Sequence, residues 1–84
     1  PFWLYAKPIA LAIRNHQPVY QGEVLTLLQG PERIDCSEWL EPYLARDYFI
    51  ARNQHHIHFW IFREHKGIQT NRQKAHWFLH GVFA

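Results

Sequence analysis

The 84-residue sequence predicts a mostly β domain: a small antiparallel barrel or strongly curved sheet of five to six short strands with one short helix. Two observations carry that prediction. Apolar residues alternate with period two over several runs, among them Ile9, Leu11, Ile13 and Ile57, Phe59, Ile61. Turn formers also recur at short intervals, and no segment sustains an apolar stripe at helical spacing over three turns.

The elements follow in order. Phe2-Trp3-Leu4-Tyr5 is an apolar run, and after Pro8 the alternation of Ile9, Leu11 and Ile13 with Ala10, Ala12 and Arg14 marks a strand with one buried face. Asn15-His16-Gln17-Pro18 is a turn. Residues 19–29 form a second strand region, with Leu25 and Leu27 on one face and Thr26 and Leu28 on the other. Gly30-Pro31 is a breaker before the charged step Glu32-Arg33, and proline pushes the residue before it toward extended geometry. Residues 34–36 make a short strand. Ser37 then caps a helical turn through Glu41, with acidic residues at the favourable end, and Pro42 stops it. Residues 47–52 and 57–65 are β runs around Asn53-Gln54-His55-His56, the pattern of a hairpin. Residues 66–75 are polar and form an exposed loop. Residues 76–83 close the chain as a last strand.

Length allows one domain, residues 1–84, and a chain this small buries only about 60–65% of its unfolded surface. It must therefore use apolar residues densely. At 48% hydrophobic and 17% aromatic it has ample core, since each aromatic buries about 150–250 Å². The start at Pro1 reads as a fragment of a larger protein. No signal peptide or membrane-length apolar run is visible, and the single Cys36 allows no internal disulfide, so the expected home is the cytoplasm. A net charge of +2 permits nucleic-acid contact without demanding it.

No catalytic constellation stands out. His55-His56-Ile57-His58 has metal-like spacing, but zinc needs three or four ligands and no cysteine or carboxylate nearby completes a set. The bland reading is a solvated hairpin tip. His76 and His80 share a strand face rather than a helix, and the zincin glutamate is missing. Cys36 lacks a partner base. There is no glycine-rich phosphate loop and no carboxylate pair, so no catalytic residue, cofactor or metal is expected. Arg46, Arg52 and Arg63 are interleaved with Tyr48, Phe49, Trp60 and Phe62. Aromatics beside arginine on a sheet can stack single-stranded bases. The bland alternative is an aromatic core with rim arginines paired to Asp47 and Glu64.

Several strings carry a family resemblance. Residues 28–34 resemble a G-P-E-R-I segment, 46–51 an R-D-Y-Y-x-A strand, 59–64 an x-W-I-Y-R-E strand, and 77–84 a W-F-L-H-G-x-F-A terminus. In this order, with the opening Pro1-Phe2-Trp3-Leu4, they resemble the C-terminal domain of ImuB-type proteins, Y-family DNA-polymerase-like factors of bacterial mutagenic repair. That family often has glycine and a tryptophan pair after the G-P-E-R-I string, where this chain has Cys36-Ser37-Glu38-Trp39 with one tryptophan.

The resemblance implies a non-catalytic protein-interaction domain in DNA-damage-induced translesion synthesis. It implies partners of two kinds: a RecA-like ImuA-type protein and an error-prone C-family DNA polymerase. Arg33, Trp39, Arg46 and Arg63 are the candidate partner-binding residues, because arginine and tryptophan dominate interface energetics. The competing reading is a single-stranded nucleic-acid module holding template DNA, with Arg52, Arg63, Lys66, Arg72 and Lys74 on phosphates. It would weaken steeply with salt.

Overall fold

The computed structural model describes residues 2–35, 44–66 and 76–84. These residues form seven strands: β1 (Phe2–Arg14), β2 (Gln17–Tyr20), β3 (Glu23–Val24), β4 (Thr26–Asp35), β5 (Leu44–Arg52), β6 (His58–Lys66) and β7 (His76–Phe83). They make one antiparallel sheet in the order β3-β2-β1-β7-β6-β5-β4, curved into a half-barrel. The β class and the curved sheet are as the sequence predicts. The strand count is not: there are seven, not five to six. The predicted helical turn at 37–41 and residues 67–75 of the polar loop predicted over 66–75 lie outside the described residues, while Lys66 is the last residue of β6 rather than loop.

The extra strands come from turn chemistry. Asn15 and His16 both have positive φ, at 50° and 66°, and join β1 to β2 directly. Gln21 and Gly22, at 52° and 80°, do the same between β2 and β3. Two consecutive positive-φ residues match the right-handed twist of a tight hairpin. The region 19–29 is thus not one strand. Gly30-Pro31 does not break the chain either. β4 runs through it, with register shifts against β5 between Leu27 and Gln29 and between Gln29 and Glu32. Gly30, at φ 121°, lies so close to β5 that an added Cβ would stand 2.6 Å from the Tyr48 carbonyl oxygen and 2.8 Å from the Phe49 ring. Only glycine lets the two backbones approach there.

β3 and β4 occupy opposite ends of the strand order, yet Leu25 alone links them. Val24 and Thr26 can therefore stand no more than about 7 Å apart, so the sheet must curl until its ends come together at this point. Leu25 donates its N–H to the Pro18 carbonyl at 2.9 Å and is 1% exposed. It joins Phe49, Ala51, Phe59, Ile61, Trp77 and Leu79 in the core on the inner face, with Tyr5, Leu11, Tyr20 and Val82 packed around them. Tyr20 of β2 lies edge-on against Phe59, ring centroids 5.6 Å apart. The β5–β6 hairpin falls where the sequence places it. Asn53 holds its tip: its Oδ1 accepts the His55 and Ile57 N–H groups at 2.9 and 3.0 Å. Its Nδ2 lies 3.5 Å from Glu23, tying the tip to β3.

Candidate functional site

β5 and β6 pair along their whole length from Leu44↔Lys66 to Arg52↔His58. The alternation along them therefore sends Asp47 and Arg63 to the inner face and Arg46, Tyr48, Trp60 and Phe62 to the outer one. On the inner side Asp47 is 2% exposed. Arg33 donates to it from Nε at 2.8 Å and Nη2 at 3.2 Å, and Arg63 donates from Nη2 at 3.2 Å. A buried carboxylate needs such donors. The hydrogen bond and charge of Asp47 push the Arg33 guanidinium above its ordinary value. Arg63 also lies over the rings of Trp77 and Phe49, at 5.5 and 5.8 Å.

The outer face carries a second aromatic cluster. Tyr48 and Trp60 stack at 4.2 Å, and Trp60 and His80 stack at 5.0 Å with planes 6° apart. Phe62, 1% exposed, meets Tyr48, Phe78 and His80, and the Arg46 guanidinium lies 4.3 Å over its ring. Arg46 donates from Nη1 to the Tyr48 hydroxyl at 3.1 Å, and that hydroxyl is 2.9 Å from His80 Nδ1. With its proton on Nε2, His80 accepts a hydrogen bond from the Tyr48 hydroxyl at Nδ1. Burial, then the Arg46 charge, hold the His80 pKa below its ordinary value. His80 sits at a bulge: Trp60 pairs with Gly81 and Ile61 with Leu79. That extra residue turns the imidazole into the stack.

The structure brings Arg33 and Arg63 together at Asp47 and sets Arg46 on the opposite face. Of the bland reading of the arginines, the Arg63–Asp47 pair is present; Arg33 shares that carboxylate, and Arg46 lies on the Phe62 ring and the Tyr48 hydroxyl. Arg33 keeps 64% of its side chain exposed beside Asp47. Arg52 and Lys66 lie at opposite ends of the β5–β6 ladder. Trp39, Arg72, Lys74 and Cys36 lie outside the described residues. His55 sits at the hairpin tip, its Nε2 3.0 Å from Glu23. Among the described residues no three His, Cys, Asp or Glu side chains are grouped to hold a metal ion.

The apolar residues exposed at the sheet margins are not among the site residues that the sequence predicts. Trp3 is 63% exposed, Leu4 58%, Ile13 46%, Leu28 44% and Leu27 42%. Trp3, Val82, Phe59, Ala51 and Leu27 stand in register on one rung of the inner face. The middle of that rung is buried, and its two ends, Trp3 and Leu27, are bare at the open sides of the half-barrel. The signal was present: four consecutive apolar residues, Phe2 to Tyr5, cannot all turn inward on a strand. No helix among the described residues is long and apolar enough to cross a membrane. Comparison with protein-family models, with curated proteins and with solved structures found no significant match to this chain.

Proposed function

We propose that this chain is a non-catalytic protein-interaction domain of an ImuB-type, Y-family polymerase-like scaffold, working in the cytoplasm in damage-induced translesion synthesis. Its task is to dock a partner, either a RecA-like ImuA-type protein or an error-prone C-family DNA polymerase. One observation supports docking above all: large apolar side chains stay bare at the open sides of a half-barrel whose core cluster forms without them. Trp3, Leu4, Leu27 and Leu28 are each more than two-fifths exposed. Adjoining bare apolar side chains mark an interaction site, and here they form two groups, Trp3 and Leu4 on β1 and Leu27 and Leu28 on β4. Arg33, exposed beside Asp47, and Trp39 remain the polar and aromatic anchors of the reading.

The nucleic-acid alternative draws less support. Bases stack on free ring faces. Here Tyr48, Trp60 and His80 stack on one another with Phe62 packed against them, and Arg63 is engaged with Asp47. Arg52 and Lys66 are too far apart along the ladder to form one basic stripe.

The test is a pull-down of the domain against each protein partner, with single-stranded DNA titrated in parallel at low and moderate salt. Retention of a protein partner, with little DNA binding, upholds the reading. Retention of DNA alone, lost steeply with salt, would replace it with a template-holding role. Retention of neither removes it.

A further inference from the structure

The two margins of the half-barrel differ in what they offer. β4 is blunted against pairing: Pro31 lacks an N–H, two register shifts bend the strand, and Glu32, Arg33 and Asp35 mix both charges along it. Proteins guard sheet edges in these ways. β1 is different. β7 takes one edge of it from Phe2 to Leu11, and β2 reaches the other edge only from Ala12 to Arg14. The opposite edge of Phe2–Leu11 therefore meets no strand among the described residues. Its regular stretch before the register shift, Phe2–Leu4, carries its most exposed large apolar side chains, at 43%, 63% and 58%. β1 holds two basic residues, Lys7 and Arg14, and no acidic one. Both are exposed.

We infer that the free edge of β1 at Phe2–Leu4 takes up an extended, alternating apolar and acidic segment of a partner protein by strand addition. This deepens the interaction-domain reading and rests on it. Main-chain pairing would supply affinity, and alternate side chains would supply choice. On the inner side the added strand extends the rung that ends at Trp3. On the outer side it lies beside Leu4 and the Phe2 ring, which already packs on Phe83 at 4.8 Å. Lys7 lies exposed within the register shift between Leu4 and Ile9, and its positive charge beside that end of the edge favours a carboxylate in the added segment. A basic partner segment would instead be repelled by Lys7.

The probe is a synthetic octapeptide alternating valine and glutamate, titrated into the whole 84-residue domain and followed residue by residue through amide shifts and hydrogen exchange. The expected result is new protection at Phe2–Leu4. N-methylation of alternate peptide amides should abolish binding, and a valine–lysine peptide should bind more weakly. Lys7→Glu should weaken the acidic peptide about twofold to fivefold, the scale of one exposed ion pair. Trp3→Ser should weaken it further while leaving the melting temperature near that of the parent. Equal binding of the N-methylated or lysine peptide, or protection at β4 instead, overturns the inference. A protein partner retained equally by the parent, Trp3→Ser and Lys7→Glu domains overturns it too but leaves the interaction-domain reading standing. Failure of every protein partner to bind the parent domain overturns that reading itself.

Discussion

Gly81→Ala is expected to destabilise this domain by loosening β1 from β7. An added Cβ at Gly81 would stand 2.5 Å from Phe2 Cζ, 2.7 Å from Phe2 Cε1 and 2.8 Å from the Trp3 carbonyl oxygen. Unstrained carbon contacts lie near about 3.5–4.0 Å, so roughly 1 Å of relief is needed on the ring side. The Phe2 ring is 43% exposed and can swing out, but it then leaves Phe83 and Trp60, whose centroids are 4.8 and 5.8 Å away. Each such pair contributes about 0.5–1.5 kcal/mol. The Trp3 oxygen is backbone and yields only if β1 shifts. Together these place the cost at about 1–3 kcal/mol, the usual range for overpacking. In a domain of this size each kcal/mol lowers the melting temperature by about 4–8 °C. Thermal unfolding followed by near-ultraviolet dichroism measures it, and hydrogen exchange should show the loss first at residues 2–4. Phe2→Ala supplies the control. In that background Gly81→Ala should cost at least about 0.5 kcal/mol less, because contacting residues couple. An unchanged melting temperature, or the same cost in both backgrounds, would refute the packing argument.

Other perturbations follow from the same structure. Leu79→Ala, at a fully buried position, should cost about 2–5 kcal/mol in denaturant unfolding, with a cavity left among Phe49, Ile61 and Trp77. Asn53→Ala removes the acceptor of two backbone N–H groups and should cost about 1–3 kcal/mol, with faster exchange at His55 and Ile57. His80 sets a pH dependence of known sign. Its folded pKa lies below the unfolded value near 6.5, so the unfolded chain takes the proton first as pH falls. Its share of stability is present above about pH 6.5 and is lost as pH drops from there toward the folded value. His80→Gln should flatten the profile measured between about pH 7.5 and 5; a profile as steep as the parent's would assign that dependence elsewhere.

The residues themselves determined most of the strands. Period-two alternation marks β1, β6 and β7, and the polar break at 53–56 marks the β5–β6 hairpin, because burial on one face and turn chemistry are local properties. Gln21-Gly22 was harder to see, since a hairpin turn with glutamine in the left-handed region carries only half of the usual Asn-Gly signature. The glycine at Gly30 reads as a stop because its role, letting β4 approach β5, depends on Tyr48 and Phe49, 18 and 19 positions further along the chain. The pairing of arginine with Asp47 was within reach of the sequence; that Arg33 and Arg63 share it was not, since it requires β4, β5 and β6 side by side in one register.

What only the tertiary structure decided is which apolar residues are left over. Leu25 and Leu27 share a period in the sequence, yet Leu25 closes the barrel in the core and Leu27 stands bare at an edge. Strand order makes the difference. A residue in the middle of a rung gains neighbours on both sides, and one at its end gains them on one side only. The sequence names the strands, but the order β3-β2-β1-β7-β6-β5-β4 settles which of them end the rung, and so which side chains meet solvent.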